Sequence, residues 1–278
     1  MKQSAWRAAL NQSRQTLALG LRAALVALKV LIALLTLPAK QSRQLTSLVV
    51  LAMRSAKSGF TPKLTFSELG EDILISELES RKGFYVDVGA HHPFRFSVTA
   101  RLSEAGWEGA CFDVVSEMPE IILRYRPRAF AARQLIGEEG VVDFFRFEEE
   151  LMNTASPEFL ETITAGGFGQ PVTESLPRVP LHQALLNLGI APRRIDFINI
   201  DVEGSDFEVL STHDFDQFPL DIILIELLPV DHSGSLLEPV PPKSWEKAAK
   251  FLEQRDYVLT HFLHRSALFV SPNARRSR

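Results

Sequence analysis

The sequence predicts an α/β fold: a doubly wound, mostly parallel sheet that ends in an antiparallel hairpin and follows an N-terminal amphipathic helix. Three observations predict it. From residue 64 onward, short apolar runs alternate with helical stretches, the pattern of strands joined by crossover helices. The last two apolar runs lie too close together for a crossover and read as a hairpin. The charge divides the chain in two: residues 1–67 hold ten Lys/Arg and no acid, leaving 20 basic residues against all 34 acidic ones in 68–278. The overall net charge of −4 thus joins a +10 leader to a −14 body.

Residues 17–37, LALGLRAALVALKVLIALLTL, are apolar apart from Arg22, Lys29 and Thr36. As a helix they would reach roughly 30 Å, the thickness of a bilayer's hydrocarbon. However, Arg7, Arg14, Arg22, Lys29, Thr36 and Arg43 recur every seven or eight residues, which confines them to one stripe of a helix. A basic stripe beside a wide apolar face suits a membrane interface, where the cations reach anionic headgroups. A membrane surface is therefore the expected partner of residues 5–37. A true span, a transit peptide and a partner-helix contact are the competing readings. Pro38, Gly59 and Pro62 place a linker at 38–62, so 1–62 is read as leader and linker and 63–278 as the folded domain.

In the body, Phe84–Val88 is a buried-strand run that ends on Gly89. Ala110–Phe112 is the second strand and ends on Asp113; Ala129–Ile136 is the third and closes on Gly137. Ile195–Ile200, ending on Asp201, and Ile222–Leu227, with Glu226 near its end, complete the parallel set. Tyr257–Phe262 and Ala267–Val270 form the hairpin. Helices are expected over 68–80, 95–105, 116–125, 181–188, 204–210 and 244–254. The stretch 151–180, with Gly166, Gly167, Gly169 and four prolines, reads as a loop or lid.

Composition narrows the function. With 46% hydrophobic and 23% charged residues the chain is globular rather than disordered. The single cysteine, Cys111, excludes an intrachain disulfide framework and a zinc-thiolate cluster, and the cytoplasm is the expected compartment. The acidic body would repel phosphates, so no nucleic-acid partner is expected.

Ligands of such sheets bind outside the carboxyl ends of the strands. The acids that fall there are Asp87, Asp113, Asp201 with Glu203, and Glu226. Carboxylates at that edge suit ribose hydroxyls or an amine. No G-x-G-x-x-G follows Val88, which weighs against a dinucleotide.

Four fragments carry a resemblance: FSELGEDILI (66–75), GFYVDVGAHHPFRFSVT (83–99), GWEGACFD (106–113) and IDFINIDVEGSDFEVL (195–210). Together they are similar to the FkbM family of S-adenosylmethionine-dependent methyltransferases, over about 64–270. The resemblance implies a seven-stranded class I methyltransferase sheet of Rossmann-like type, with S-adenosylmethionine as cofactor. It places Asp87, Gly89 and Ala90 at the loop approaching the methionine part, Asp113 at the ribose, and Ile136 and Gly137 beside the adenine. Glu71 and Asp72 belong to the family's G-E-D element, expected to close over the pocket. Asp201, Val202, Glu203 and Gly204 match its D-V-E-G element, with Asp201 also set beside the cofactor. Where the family commonly has proline after the second-strand acid, this chain has Val114.

Methyl transfer is an in-line displacement, and a hydroxyl acceptor benefits from a general base. The expected catalytic residues are His91, Asp201 and Glu203, with a carboxylate orienting the acceptor and a histidine taking its proton. His92 and the pair Asp231-His232 are further candidates; His182, His213, His261 and His264 are expected on surfaces or in satisfied cores. No metal is assigned, although Asp201, Glu203 and Asp231-His232 form an alternative divalent-cation set. The implied activity is O-methylation of a hydroxyl on a saccharide, glycolipid or secondary metabolite, so the partner is a small-molecule or glycan acceptor. A nucleotide-dependent oxidoreductase and a non-catalytic membrane-recruited scaffold are the alternatives.

Overall fold

The structure, a computed structural model, describes residues 65–78, 82–227, 243–263 and 265–274, with side chains of the last helix described from 246. The leader and linker readings, the domain boundary at 62/63 and the pair Asp231-His232 lie outside the described residues. Among the described residues no helix is long and apolar enough to cross a membrane.

Helix α1 (Glu71–Leu78) precedes strand β1 (Phe84–Val88); α2 (Ala100–Glu104), β2 (Glu108–Asp113), α3 (Met118–Tyr125) and β3 (Ala129–Arg133) follow. Next come β4 (Leu135–Ile136), β5 (Gly140–Arg146), α4 (Pro157–Ala165) and β6 (Val172–Val179). The chain continues through α5 (Leu181–Asn187), β7 (Ile195–Ile200), α6 (Asp206–Ser211) and β8 (Leu220–Glu226). It ends in α7 (Lys243–Glu253), β9 (Val258–Leu263) and β10 (Ser266–Val270).

Seven strands form one sheet in the order β3-β2-β1-β7-β8-β10-β9. Strands β3, β2, β1, β7 and β8 pair in parallel, and β10 inserts antiparallel between β8 and β9. This is the doubly wound sheet with a terminal hairpin that the apolar spacing predicts. The strand order reverses between β1 and β7, and a ligand crevice forms outside such a reversal.

Residues of β1 alternate between two apolar layers, as the two-residue period of a strand requires. Phe84, Val86 and Val88 pack with Leu181, Leu185, Val209 and Leu252 on one face. Tyr85 packs with Ile75, Leu102 and Ile122 on the other. Asp87 shares the second face, so its carboxylate enters the interior and needs partners there.

Two expectations are corrected. The run 129–136 is two strands: after Arg133 the chain leaves the large sheet, and Leu135–Ile136 pairs with β6. The stretch 151–180 is ordered rather than a loop, containing α4 and β6. Ser156 caps α4 by accepting from Phe159 N at 3.2 Å, with Pro157 at the first helical position. Strand β6 is the middle of a second, three-stranded sheet, β4-β6-β5. Its Pro177, a residue type rare in central strands, pairs opposite Val141 in an antiparallel ladder. This small sheet roofs one side of the crevice.

Candidate active site

The crevice is an open cleft of about 1000 Å³, counting the solvent at its mouth. Of the residues expected at the site, Asp87, Gly89, Ala90, His91, Asp113, Ile136, Asp201 and Glu203 all line it. Glu71, Asp72 and Gly137 do not.

The loop after β1 is fixed by its backbone. Gly89 N and Ala90 N both donate to the Phe112 carbonyl at 3.0 Å, and Asp201 N donates to the Val88 carbonyl at 3.0 Å. These bonds close the ends of β2, β1 and β7 together. Gly89 has φ +81°, and a Cβ there would overlap the Asp201 carbonyl oxygen. Only glycine meets both conditions without strain.

Asp87 is a structural anchor. It accepts from Thr99 Oγ1 and, at 3.0 Å, from Asn199 Nδ2. Arg126 Nη1 lies 3.7 Å away. Arg126 itself is 1% exposed and donates to Thr99 Oγ1, the Pro93 carbonyl and Ser97 Oγ at 2.7–2.8 Å. One buried guanidinium thereby ties the 93–97 loop, part of the cleft wall, to the strand end. Sequence reading missed Arg126 because a lone arginine after a helix gives no pattern.

Asp113 holds the same wall from the other side. Its Oδ2 accepts from His91 N at 2.7 Å and its Oδ1 from Val115 N at 2.8 Å. Burial pushes its carboxyl up, against those two hydrogen bonds. Each oxygen keeps one lone pair for a ligand hydroxyl. His91 sits in the left-handed region, φ 44°, and its Nε2 is buried without a hydrogen-bond partner. His92 behaves as the expected turn residue: its Nδ1 accepts from Phe94 N and Arg95 N.

The D-V-E-G turn is clamped by a residue that the motif omits. Asp206, 4% exposed, accepts from Val202 N at 2.9 Å and Gly204 N at 3.1 Å. Burial, then the Asp201 charge, pushes its carboxyl up to about 7. Thr154 Oγ1 donates to the Glu203 carbonyl at 2.7 Å, and Glu203 has φ 54°. Oxygens of Asp201, Glu203 and Glu226 lie within 4.8 Å of one another. Burial first, and then their mutual repulsion, raises the Glu203 and Glu226 carboxyls well above the usual range; burial also raises Asp201.

Glu71 and Asp72 are not in the cleft lining, although the Glu71 charge reaches Asp201 and adds to the rise of its carboxyl. Asp72 is fully buried and accepts from Thr65 Oγ1, Ser67 Oγ, Phe66 N and Arg101 Nε at 2.6–3.1 Å. It latches the segment before α1 to α2. Glu71 accepts from Leu69 N at 3.0 Å. Gly137 backs the wall, donating to the Val179 carbonyl, beside the Arg178–Glu208 pair that joins β6 to α6 at 2.7 Å.

The Methyltransferase FkbM domain matches residues 87–259, which span the strand ends just described. The chain belongs to the FkbM methyltransferase family. It is a methyltransferase and its methyl donor is S-adenosylmethionine. No curated protein matches the chain. Among solved structures, cofactor-bound Rv0187 from MTB is 12% identical with TM-score 0.39, over 80% of this chain and 88% of that one. A putative O-methyltransferase from Klebsiella pneumoniae is 11% identical with TM-score 0.35, over 81% and 89%. The O-methyltransferase from Bacillus cereus in complex with SAH is 11% identical with TM-score 0.31, over 72% and 79%.

The cleft of this FkbM methyltransferase fits its cofactor. Ile136, Leu135 and Phe144 offer an apolar wall, and Asp113 offers acceptors at the end of β2. Asp201 and Glu203 put two carboxyl groups at the far end, which suits a cationic sulfonium and disfavours a phosphate.

Proposed function

We propose that this methyltransferase methylates a hydroxyl oxygen of a saccharide, glycolipid or secondary metabolite, with His91, Asp201 and Glu203 at the acceptor side. The observation that carries this reading is the unpartnered, buried Nε2 of His91 in the same cleft wall as the Asp201–Glu203 turn. A hydroxyl is a weak nucleophile at neutral pH and has to lose its proton as the new C–O bond forms. In its Nδ1–H tautomer His91 presents Nε2 as a proton acceptor. Asp201 and Glu203 orient the hydroxyl by accepting its hydrogen bond or a neighbouring one.

The cofactor supplies an already activated methyl group, so the chain's own residues have three tasks. Asp113 and the apolar wall hold the nucleoside end. The clamped 89–91 and 201–204 turns fix the distance between donor and acceptor. His91 receives the acceptor proton.

Methyl transfer from labelled S-adenosylmethionine to a panel of sugar, glycolipid and phenolic hydroxyls tests the reading. His91→Ala is expected to lower turnover about 100-fold with cofactor affinity nearly unchanged. Unchanged turnover would remove His91 from the chemistry.

We further infer that residues 5–37 bring the enzyme to an anionic membrane interface. The support is the basic stripe through Arg7, Arg14, Arg22 and Lys29 and the apolar residues around it. Flotation of the full chain with anionic vesicles, against a variant with Arg14, Arg22 and Lys29 changed to Glu, tests it. Equal flotation of the two would contradict the inference.

A further inference from the structure

We propose that Asp201, Glu203 and Glu226 form a binding site for one hard divalent cation of the magnesium or manganese class, at the acceptor end of the cleft. The inference rests on the methyltransferase site described above and names a further occupant of it. Three side-chain oxygens from three separate points, the end of β7, the following turn and the end of β8, lie within 4.8 Å of one another. That spacing is what several oxygens around one small cation require.

An independent observation points to a missing ligand. Glu226 is 4% exposed, and its Oε2 is buried with no N–H or hydroxyl donor, while the Asp201 carboxyl crowds the same group within hydrogen-bond range. Its other oxygen is satisfied by Arg265 Nε at 3.1 Å. A buried carboxylate oxygen without a donor is costly, and a cation in the cluster would remove that cost. The charges agree. When ionised, the three carboxylates outweigh their one guanidinium, Arg265, which Glu68 shares at 3.4 Å, and a dication would offset that excess. The neighbouring Asp206 stands outside this set, its oxygens holding the Val202 and Gly204 N–H groups.

The ligand set also selects the ion. Three carboxylates with no thiolate or imidazole favour magnesium, manganese or calcium over zinc or copper. Asp201 and Glu203 line the cleft and the buried Glu226 does not, so the ion's remaining positions would open towards the cleft and the acceptor. Vicinal hydroxyls, as on a sugar or a catechol, would fill two of them.

The test is titration of the chelator-stripped full chain with Mn²⁺, reading loss of the free-ion electron paramagnetic resonance signal, with S-adenosylhomocysteine calorimetry alongside. One Mn²⁺ per chain is expected, displaced by excess Mg²⁺. Glu226→Gln and Glu203→Gln are each expected to weaken binding more than about tenfold while retaining S-adenosylhomocysteine binding, which also certifies folding. Absence of Mn²⁺ binding by protein that binds S-adenosylhomocysteine would overturn the cation site and leave the methyltransferase reading standing. Undiminished Mn²⁺ binding in both variants would overturn it as well. Mn²⁺ binding without S-adenosylhomocysteine binding would keep the cation site and contradict the cofactor cleft.

Discussion

The main-chain carbonyl of Asp201 fills the space that a side chain on Gly89 would need. The turn after β1 and the turn after β7 are therefore packed backbone against backbone, and the cleft floor depends on that contact. Gly89→Ala adds a clash to a positive-φ strain of about 1–2 kcal/mol. It is expected to destabilise the fold by more than about 2 kcal/mol and weaken S-adenosylmethionine binding at least about tenfold. Gly140→Ala, where a Cβ would meet nothing within 4 Å, is the matched control and should stay within about 0.5 kcal/mol. Urea midpoints and calorimetry read both; equal behaviour of the two would refute the packing account.

Asp113 anchors two loops through two main-chain donors. Asp113→Ala should raise the dissociation constant for S-adenosylhomocysteine by about tenfold or more, because the turn bearing His91 and the ribose acceptors are lost together. Asp113→Asn keeps one acceptor oxygen and should fall between wild type and Ala. An Ala variant that binds as wild type does would show that the cofactor does not use this strand end.

Arg126 is a buried cation beside a buried anion, Asp87. Arg126→Met leaves Asp87 with only its Thr99 and Asn199 hydrogen bonds, and breaking a buried pair on one side costs about 3–5 kcal/mol. The expected result is a large drop in the urea midpoint. Replacing both partners, Asp87→Asn with Arg126→Met, should recover part of it. Additive losses in the double variant would argue against the pairing.

His213 gives a pH dependence away from the site. It is 7% exposed, and its Nε2 lies 2.8 Å from the Phe218 carbonyl. Burial pushes its pKa down to about 4 from 6.5. Between those values the unfolded chain binds the proton and the folded chain does not, so stability falls as pH drops from 6.5 towards 4. The loss is at most about 3 kcal/mol. The thermal midpoint of wild type should therefore fall more steeply between pH 7 and pH 5 than that of His213→Asn, and parallel curves would contradict this assignment.

Strand ends were the legible part of the sequence. Apolar runs closing on Asp87, Asp113, Asp201 and Glu226 follow from a sheet buried on both faces, and the structure brings these acids to one edge. The small sheet was hidden: Pro177 and the exposed Val141 and Val172 disguise its strands, and only the Ser156-Pro157 cap signalled order there. Arg126, Asp206 and Thr154 were illegible for another reason. Their partners lie far along the chain or on main-chain atoms, and no local pattern encodes such bonds. Glu226 could be found as a strand-end acid, but its missing donor appears only in three dimensions.

The proposed site sets S-adenosylmethionine across the carboxyl ends of β1, β2 and β7 with its sulfonium towards Asp201 and His91. A crystal structure of the full chain with S-adenosylhomocysteine tests it most directly. Ribose hydroxyls are expected within about 3 Å of Asp113, adenine against Ile136, and sulfur facing Asp201 and His91. Cofactor bound elsewhere, or with its sulfur turned away from those two residues, would contradict it.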